Sequence, residues 1–328
     1  NKIPDIDFIS TINKLNLKRL GLINTKLDGV LSSQLFITLK GDNIDNLTGE
    51  INFDNTIYKT EEKEHKISSF DLKLEQTSID KSIKLNSNIF NLSVNGPFKL
   101  SNMGSAFNQF LFAYYPAFFE KNKGNTQYAD AFKFKLTVKK FNTVRDLFVN
   151  NLMVSTGSVF EGDFDASKNL LNINSKSDSI RYQGVKFNNN KIESYSQNNK
   201  INLVFKSEYI DVTDSIRLFN YFMYFVSKDK NTKYNAEWDN KAKPQNAGKF
   251  AGKMLVDSKW AILTYDKIFL TSKDSTWSLV TSDSTVIDSS GTVLVKPLHF
   301  VNGSQSLKVQ GGLSNKPNDK LVFDVQNF

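Results

Sequence analysis

"FKFKLTVKK", Phe132 to Lys140, is the stretch whose reading decides the fold. Phe132, Phe134, Leu136 and Val138 alternate with Lys133, Lys135, Thr137 and Lys139. In an extended chain the first four side chains face one way and the second four the other. A helix would scatter the same residues around its circumference. The stretch therefore reads as a strand with one oily face and one wet face.

Outward from it, the same period of two recurs along the chain. It appears in "LFITLKG" (Leu35, Ile37, Leu39), "FDLKLEQ" (Phe70, Leu72, Leu74) and "LLNINSK" (Leu171, Ile173). It returns in "SLKVQGG" (Leu307, Val309) and in "KLVFDVQ" (Leu321, Phe323, Val325) near the last residue. Turn clusters separate the runs: "KGDN" at 40–43, "VNGP" at 94–97, "NNNK" at 188–191, "SSGT" at 289–292 and "VNGS" at 301–304. Many short one-sided strands exclude a parallel α/β sheet, whose strands are apolar on both faces and separated by helices. The expectation is an all-β chain.

Three segments carry apolar residues at helical spacing instead. Residues 102–119 place Met103, Phe107, Phe110, Leu111, Tyr114 and Phe118 on one stripe, with Pro116 ending or kinking it. Residues 142–152 do so with Val144, Leu147, Phe148 and Leu152, and residues 213–227 with Ile216, Phe219, Met223 and Val226. All three are too short to span a bilayer. They read as helices packed over an apolar sheet, or as aromatic plugs lining a lipid-accessible surface. The polar stretch 227–249 reads as a long excursion, after which strand patterning resumes in "FAGKMLV" and "WAILTYDKIFL".

Composition narrows the function classes. With 328 residues, 39% apolar and 23% charged, the chain is long and oily enough to bury a core. It contains no cysteine, which fits the bacterial periplasm or the outside and excludes thiol nucleophiles and thiolate zinc sites. The net charge of +8 is spread along the chain, with no Arg-rich block, so no nucleic-acid partner is expected. The chain starts and stops in mid-pattern. It reads as residues 1–328 of one continuous, elongated β-rich segment of a longer protein.

Catalytic chemistry finds little support. Of the two histidines, His65 lies in the charge run "TEEKEHK", read as a solvated turn, and His299 in the strand-like "VKPLHF". The phosphate-loop and nucleophile-elbow motifs are absent. Glu161, Asp163 and Asp165 in "FEGDFDASKN" share a strand face, but Lys168 and Asn174 stand where a calcium loop needs its Gly and its bidentate acid. They read as a solvent-facing strand edge. No catalytic residue, metal or cofactor is assigned, and the chain is read as a non-enzyme.

Three stretches carry a family resemblance. The ending "LKVQGGLSNKPNDKLVFDVQNF" (307–328) resembles a recurrent segment of the TamB branch of the AsmA-like proteins. "LKGDNIDNLTGEINFDNTIY" (39–58) and residues 141–189 are similar to further recurrent rungs of that family. The resemblance implies a U-shaped β-sheet, a β-taco, whose hydrophobic groove shields phospholipid acyl chains on the way to the outer membrane. It implies a periplasmic protein with an inner-membrane anchor and a BamA- or TamA-type outer-membrane barrel as partner, both reached through the parent chain. The alternating apolar residues named above, from Leu35 to Val325, are then the groove lining. An extracytoplasmic β-sandwich or solenoid that binds or adheres, with a dry interior, shows the same alternation and stays open as the alternative.

Overall fold

The computed structural model describes residues 3–16, 18–19, 29–122, 127–149, 151–197, 199–314 and 319–327. Residues 315–318 of the family-like ending lie outside them, as do the side chains of Leu147 and Phe148. The described chain is mainly β, with 21 strands belonging to one antiparallel sheet. It falls into two compact units. Among the described residues, no helix is long and apolar enough to cross a membrane.

The first unit comprises residues 1–103, 129–165 and 173–184. It contains β1 (Asp5–Leu15), β2 (Gly29–Lys40), β3 (Thr48–Thr60), β4 (Glu64–Gln76), β5 (Lys81–Ser87) and β6 (Phe90–Gly96). Helix α1 (Met103–Tyr114) follows in the chain, and all but its first residue groups with the second unit. The first unit continues with β7 (Ala131–Val138), helix α2 (Asn142–Phe148), β8 (Leu152–Val154), β9 (Val159–Asp165) and most of β10 (Leu170–Tyr182). Consecutive strands from β1 to β7 pair as antiparallel neighbours, β9 pairs with β7, and β8 with β10. The connection from β6 to β7 contains α1.

The second unit holds residues 104–128, 166–172 and 185–328. Its strands are β11 (Val185–Gln197), β12 (Lys200–Asp211), β13 (Arg217–Lys228), β14 (Asn231–Asp239), β15 (Ala247–Val256) and β16 (Trp260–Ser272). Then come β17 (Ser275–Ser282), β18 (Thr285–Asp288), β19 (Val293–Asn302), β20 (Gln305–Leu313) and β21 (Leu321–Gln326). β17 and β18 both lie between β16 and β19, as two halves of one broken rung.

Three sequence expectations need correction. Residues 217–228 form strand β13, not a helix. "RLFNYFMYFV" is apolar almost throughout, so periods of 3.6 and 2 fit it equally, and its aromatic residues favour a pleated surface. Pairing with β12 on one side and β14 on the other then satisfies its backbone, which decides the matter. The polar excursion 227–249 is likewise mostly strand: β13 turns into β14 through Asp229 and Lys230, both with positive φ (49° and 66°), and β15 begins at Ala247. Finally "NNNK" is no turn but the middle of β11, where Asn189 takes a positive φ of 50° inside the strand.

Candidate lipid-contact face

Antiparallel partners directly opposite one another point to the same side of a sheet, so the register shows which residues share a face. In the first unit, Phe8 stands opposite Ile37, Ile37 opposite Ile51, and Ile51 opposite Leu72. The row continues through Leu85 and Leu92 to Leu136 and then Phe160. It crosses eight strands without a polar residue. A second row runs beside it through Leu39, Gly49, Leu74, Ile83, Val94, Phe134 and Gly162. Phe53 and Phe70, at 5.5 Å between ring centroids, extend a third row that begins at Leu35.

Ten expected lining residues of this unit therefore lie on one face: Leu35, Ile37, Leu39, Phe70, Leu72, Leu74, Phe132, Phe134, Leu136 and Val138. Leu74 and Val138 are buried, and the other eight are half-buried. On the reverse side the corresponding row reads Glu50, Lys73, Lys84, Ser93, Lys135 and Glu161. Lys135 Nζ reaches Glu161 at 3.0 Å and Lys73 Nζ reaches Glu75 at 3.1 Å. These exposed pairs contribute at most about 1 kcal/mol each, so they mark a solvated side more than they stabilise it.

Both margins of the apolar face are covered. At the margin holding the ends of β4 and β6, Leu47, Phe98, Leu100 and Met103 pack on Leu74, Ile83 and Val94. Asp45 secures this closure by accepting from the Ser101 backbone N–H at 2.9 Å and its hydroxyl at 2.6 Å. The Ser101 hydroxyl, then its N–H, hold the Asp45 carboxyl below its usual range. Lys81, buried on the apolar side, donates its ammonium to the Asp45 carbonyl. At the opposite margin α2 is held by the Lys63–Asp146 ion pair, and Lys139 Nζ donates to the Ser87 carbonyl at 2.8 Å.

His65 belongs to that second margin, and here the expectation of a solvated turn fails. The turn is at residues 61–63; His65 lies in β4 opposite Tyr58 and is only 6% exposed. Burial pushes its imidazole pKa down, against the opposing pull of the Asp146 carboxylate. Its charged sequence neighbours concealed this, because alternate residues of a strand meet different surroundings.

In the second unit the equivalent row runs Ile192, Phe205, Met223, Ala236, Phe250 and Ile268. Ile268, Leu298 and Phe300 form its buried centre, with Trp277, Leu307 and Val309 packed around them. Leu321, Phe323 and Val325 stand opposite Gly311, Val309 and Leu307 on the same face. Leu321 is half-buried, while Phe323 and Val325 are 60% and 46% exposed on a strand that, among the described residues, pairs only with β20. Leu171 is buried, and Ile173 half-buried, in β10.

Sequence reasoning missed the aromatic part of this face. Trp238 covers Gly248 and stacks on Phe250 at 6.1 Å, and the Tyr234 hydroxyl donates to the Thr264 carbonyl at 3.0 Å beside Gly252. Burial raises the phenol pKa values of Tyr221, Tyr234 and Tyr265. The signal was present in "KYNAEWD", whose Tyr234, Ala236 and Trp238 alternate, but the polar residues between them hid it.

Glu161, Asp163 and Asp165 alternate along β9, successive carboxyls spaced by two residues, about 7 Å of strand. Their Cα partners on β7 are Lys135, Lys133 and Ala131. A cavity of about 250 Å³ beside Asn95, Phe132, Lys133, Asp163 and Phe164 opens at the strand ends. Among the described residues no group of three or more His, Asp or Glu side chains is placed to hold a metal. No family model matches this sequence, and comparisons with curated proteins and with solved structures found no match.

Proposed function

We infer that this chain handles lipid: its apolar sheet face shelters phospholipid acyl chains, and its charged reverse side faces water. The observation that carries the reading is the apolar row crossing eight strands from Phe8 to Phe160, half-buried at most of its positions and covered mainly at its margins. A strip of this kind binds methylenes at roughly 0.8 kcal/mol each, evenly along its length. Lipid then passes from rung to rung without meeting a deep minimum. The sheet curls into a U-shaped groove in this proposal, and the reaction is transport with no chemical step.

The resemblance to the TamB branch of the AsmA-like proteins extends the proposal to the cell. The chain acts in the periplasm as part of a bridge between inner and outer membranes. Its parent chain supplies the inner-membrane anchor and the contact with an outer-membrane barrel partner, and the work contributes to outer-membrane assembly. Solvent extraction of the purified chain followed by lipid mass spectrometry tests the core of this reading. Phospholipid in stoichiometric amount is expected. A clean extract overturns it and favours a dry-packed binding or adhesion protein.

A further inference from the structure

The β6–β7 connection places Tyr115 and Ala117, just beyond α1, on one margin of the second unit's apolar face. Ala117 packs against Val256 and Ala261, with Tyr115, Met254 and Ile287 around them. The Tyr115 hydroxyl lies 2.6 Å from Ser227 Oγ, near the turn joining β13 to β14. The geometry points to a lid: α1 and residues 115–122 form a movable body that covers this margin and is displaced when lipid occupies the face. This rests on the lipid-handling reading above.

Four features distinguish a lid from a fixed wall. The dock is shallow, because two of the three residues at its centre are alanines. Release leaves no orphaned hydroxyl in the sheet, since Ser227 Oγ also bonds Thr232 Oγ1 at 2.8 Å. The body braces itself: Asn108 Nδ2 donates to the Glu120 carbonyl and Asn122 Nδ2 to the Ser105 carbonyl, both at 2.7 Å, so it moves as a piece. Gly104, in its first turn, has no atom within 4 Å of where a Cβ would stand, leaving room to pivot.

The lid is also built for an oily setting. α1 carries no charged residue over its 12 positions. Ala106, Phe110 and Tyr114 are buried, while Phe107, stacked on Phe110 at 6.4 Å between ring centroids, and Phe118, beyond the helix, stay 40% and 44% exposed. A surface helix ordinarily turns charge outward. An uncharged helix that exposes Phe107 beside only Ser105 and Gln109 exchanges its packed contacts for acyl chains at little cost.

The chain has no natural cysteine, which permits a clean test. Ala117→Cys with Ala261→Cys joins two residues of the dock, and oxidation locks the lid. A photo-reactive residue at Leu263, opposite Met254, reports lipid reaching the margin from phosphatidylethanolamine and phosphatidylglycerol vesicles. A second probe at Leu136 reports the first unit. Oxidation should lower crosslinking at 263 several-fold and reduction restore it, while Ala117→Asp, with strand content unchanged by circular dichroism, should raise it. Crosslinking at 136 with unchanged yield at 263 in the locked, reduced and Ala117→Asp forms overturns the lid alone. Lipid at neither probe in any form overturns the lid and the lipid-handling reading together.

Discussion

Leu136 stands directly opposite Phe160 across β7 and β9, while its neighbour Lys135 reaches Glu161 at 3.0 Å on the reverse side of the same two strands. One step along the backbone separates the oily face from the wet one. That step provides the sharpest test of the proposed function. Leu136→Asp places a carboxylate in the middle of the apolar row, where an uncompensated charge costs several kcal/mol and interrupts lipid passage. Lys135→Gln removes one exposed ion pair, at a cost of about 0.5 kcal/mol. A photo-reactive residue at 134 should crosslink phospholipid and one at 135 should not. Equal labelling at both positions, in chains of unchanged strand content, contradicts the assignment of faces.

His65 should make stability pH-dependent. Its folded pKa lies below the ordinary 6.5, because burial disfavours the charged ring. Below that value the unfolded chain binds a proton that the native chain resists. The stabilisation from keeping His65 neutral is therefore present above about pH 6.5 and lost as pH falls through the depressed folded value. Urea denaturation from pH 7.5 to 5 should show a falling midpoint, and His65→Gln should flatten that slope while lowering stability at neutral pH. A slope unaffected by the substitution would place the titration elsewhere.

Gly49 occupies the apolar row between Leu39 and Leu74 with a φ of +126°. A Cβ there would lie 1.9 Å from the Thr38 carbonyl oxygen, which is backbone and cannot swing aside. Gly49→Ala should cost roughly 2–4 kcal/mol, from the strained dihedral and from β2 and β3 being forced apart. The urea midpoint measures it; a loss under about 0.5 kcal/mol would mean that the strands part easily.

Neutral replacement of Glu161, Asp163, Asp165 and His299 together should leave lipid handling near the wild-type level. The proposed function requires no chemical step, and each of the three β9 carboxyls is offset from the next by two residues instead of converging. Severe loss of activity in a stably folded variant would revive an enzymatic reading. His65 is kept out of this set, because its burial makes replacement a stability experiment.

Much of this arrangement was legible in the sequence, and the reason is local. Where polar and apolar residues alternate cleanly, as in Phe132 to Val138, the period of two specifies both the strand and its inward side. "KGDN", "SSGT" and "VNGS" mark real chain reversals because their residue types tolerate turns, whereas "VNGP" opens the long β6–β7 connection. Ambiguity entered where either signal was missing. β13 is apolar on both sides, and the turn at Asp229 and Lys230 lacks the Asn-Gly or Asp-Gly pair that usually announces a two-residue hairpin.

By itself, then, the sequence determined which side of each clearly alternating strand is oily, since that depends only on neighbours two residues apart. The tertiary structure alone decided what depends on partners far along the chain. Pairing with β12 and β14 made residues 217–228 a strand. Packing at the α2 margin buried His65 among charged sequence neighbours. Long-range register joined Phe8 to Phe160 in one apolar row, because a row across a sheet is written by residues that no local window contains.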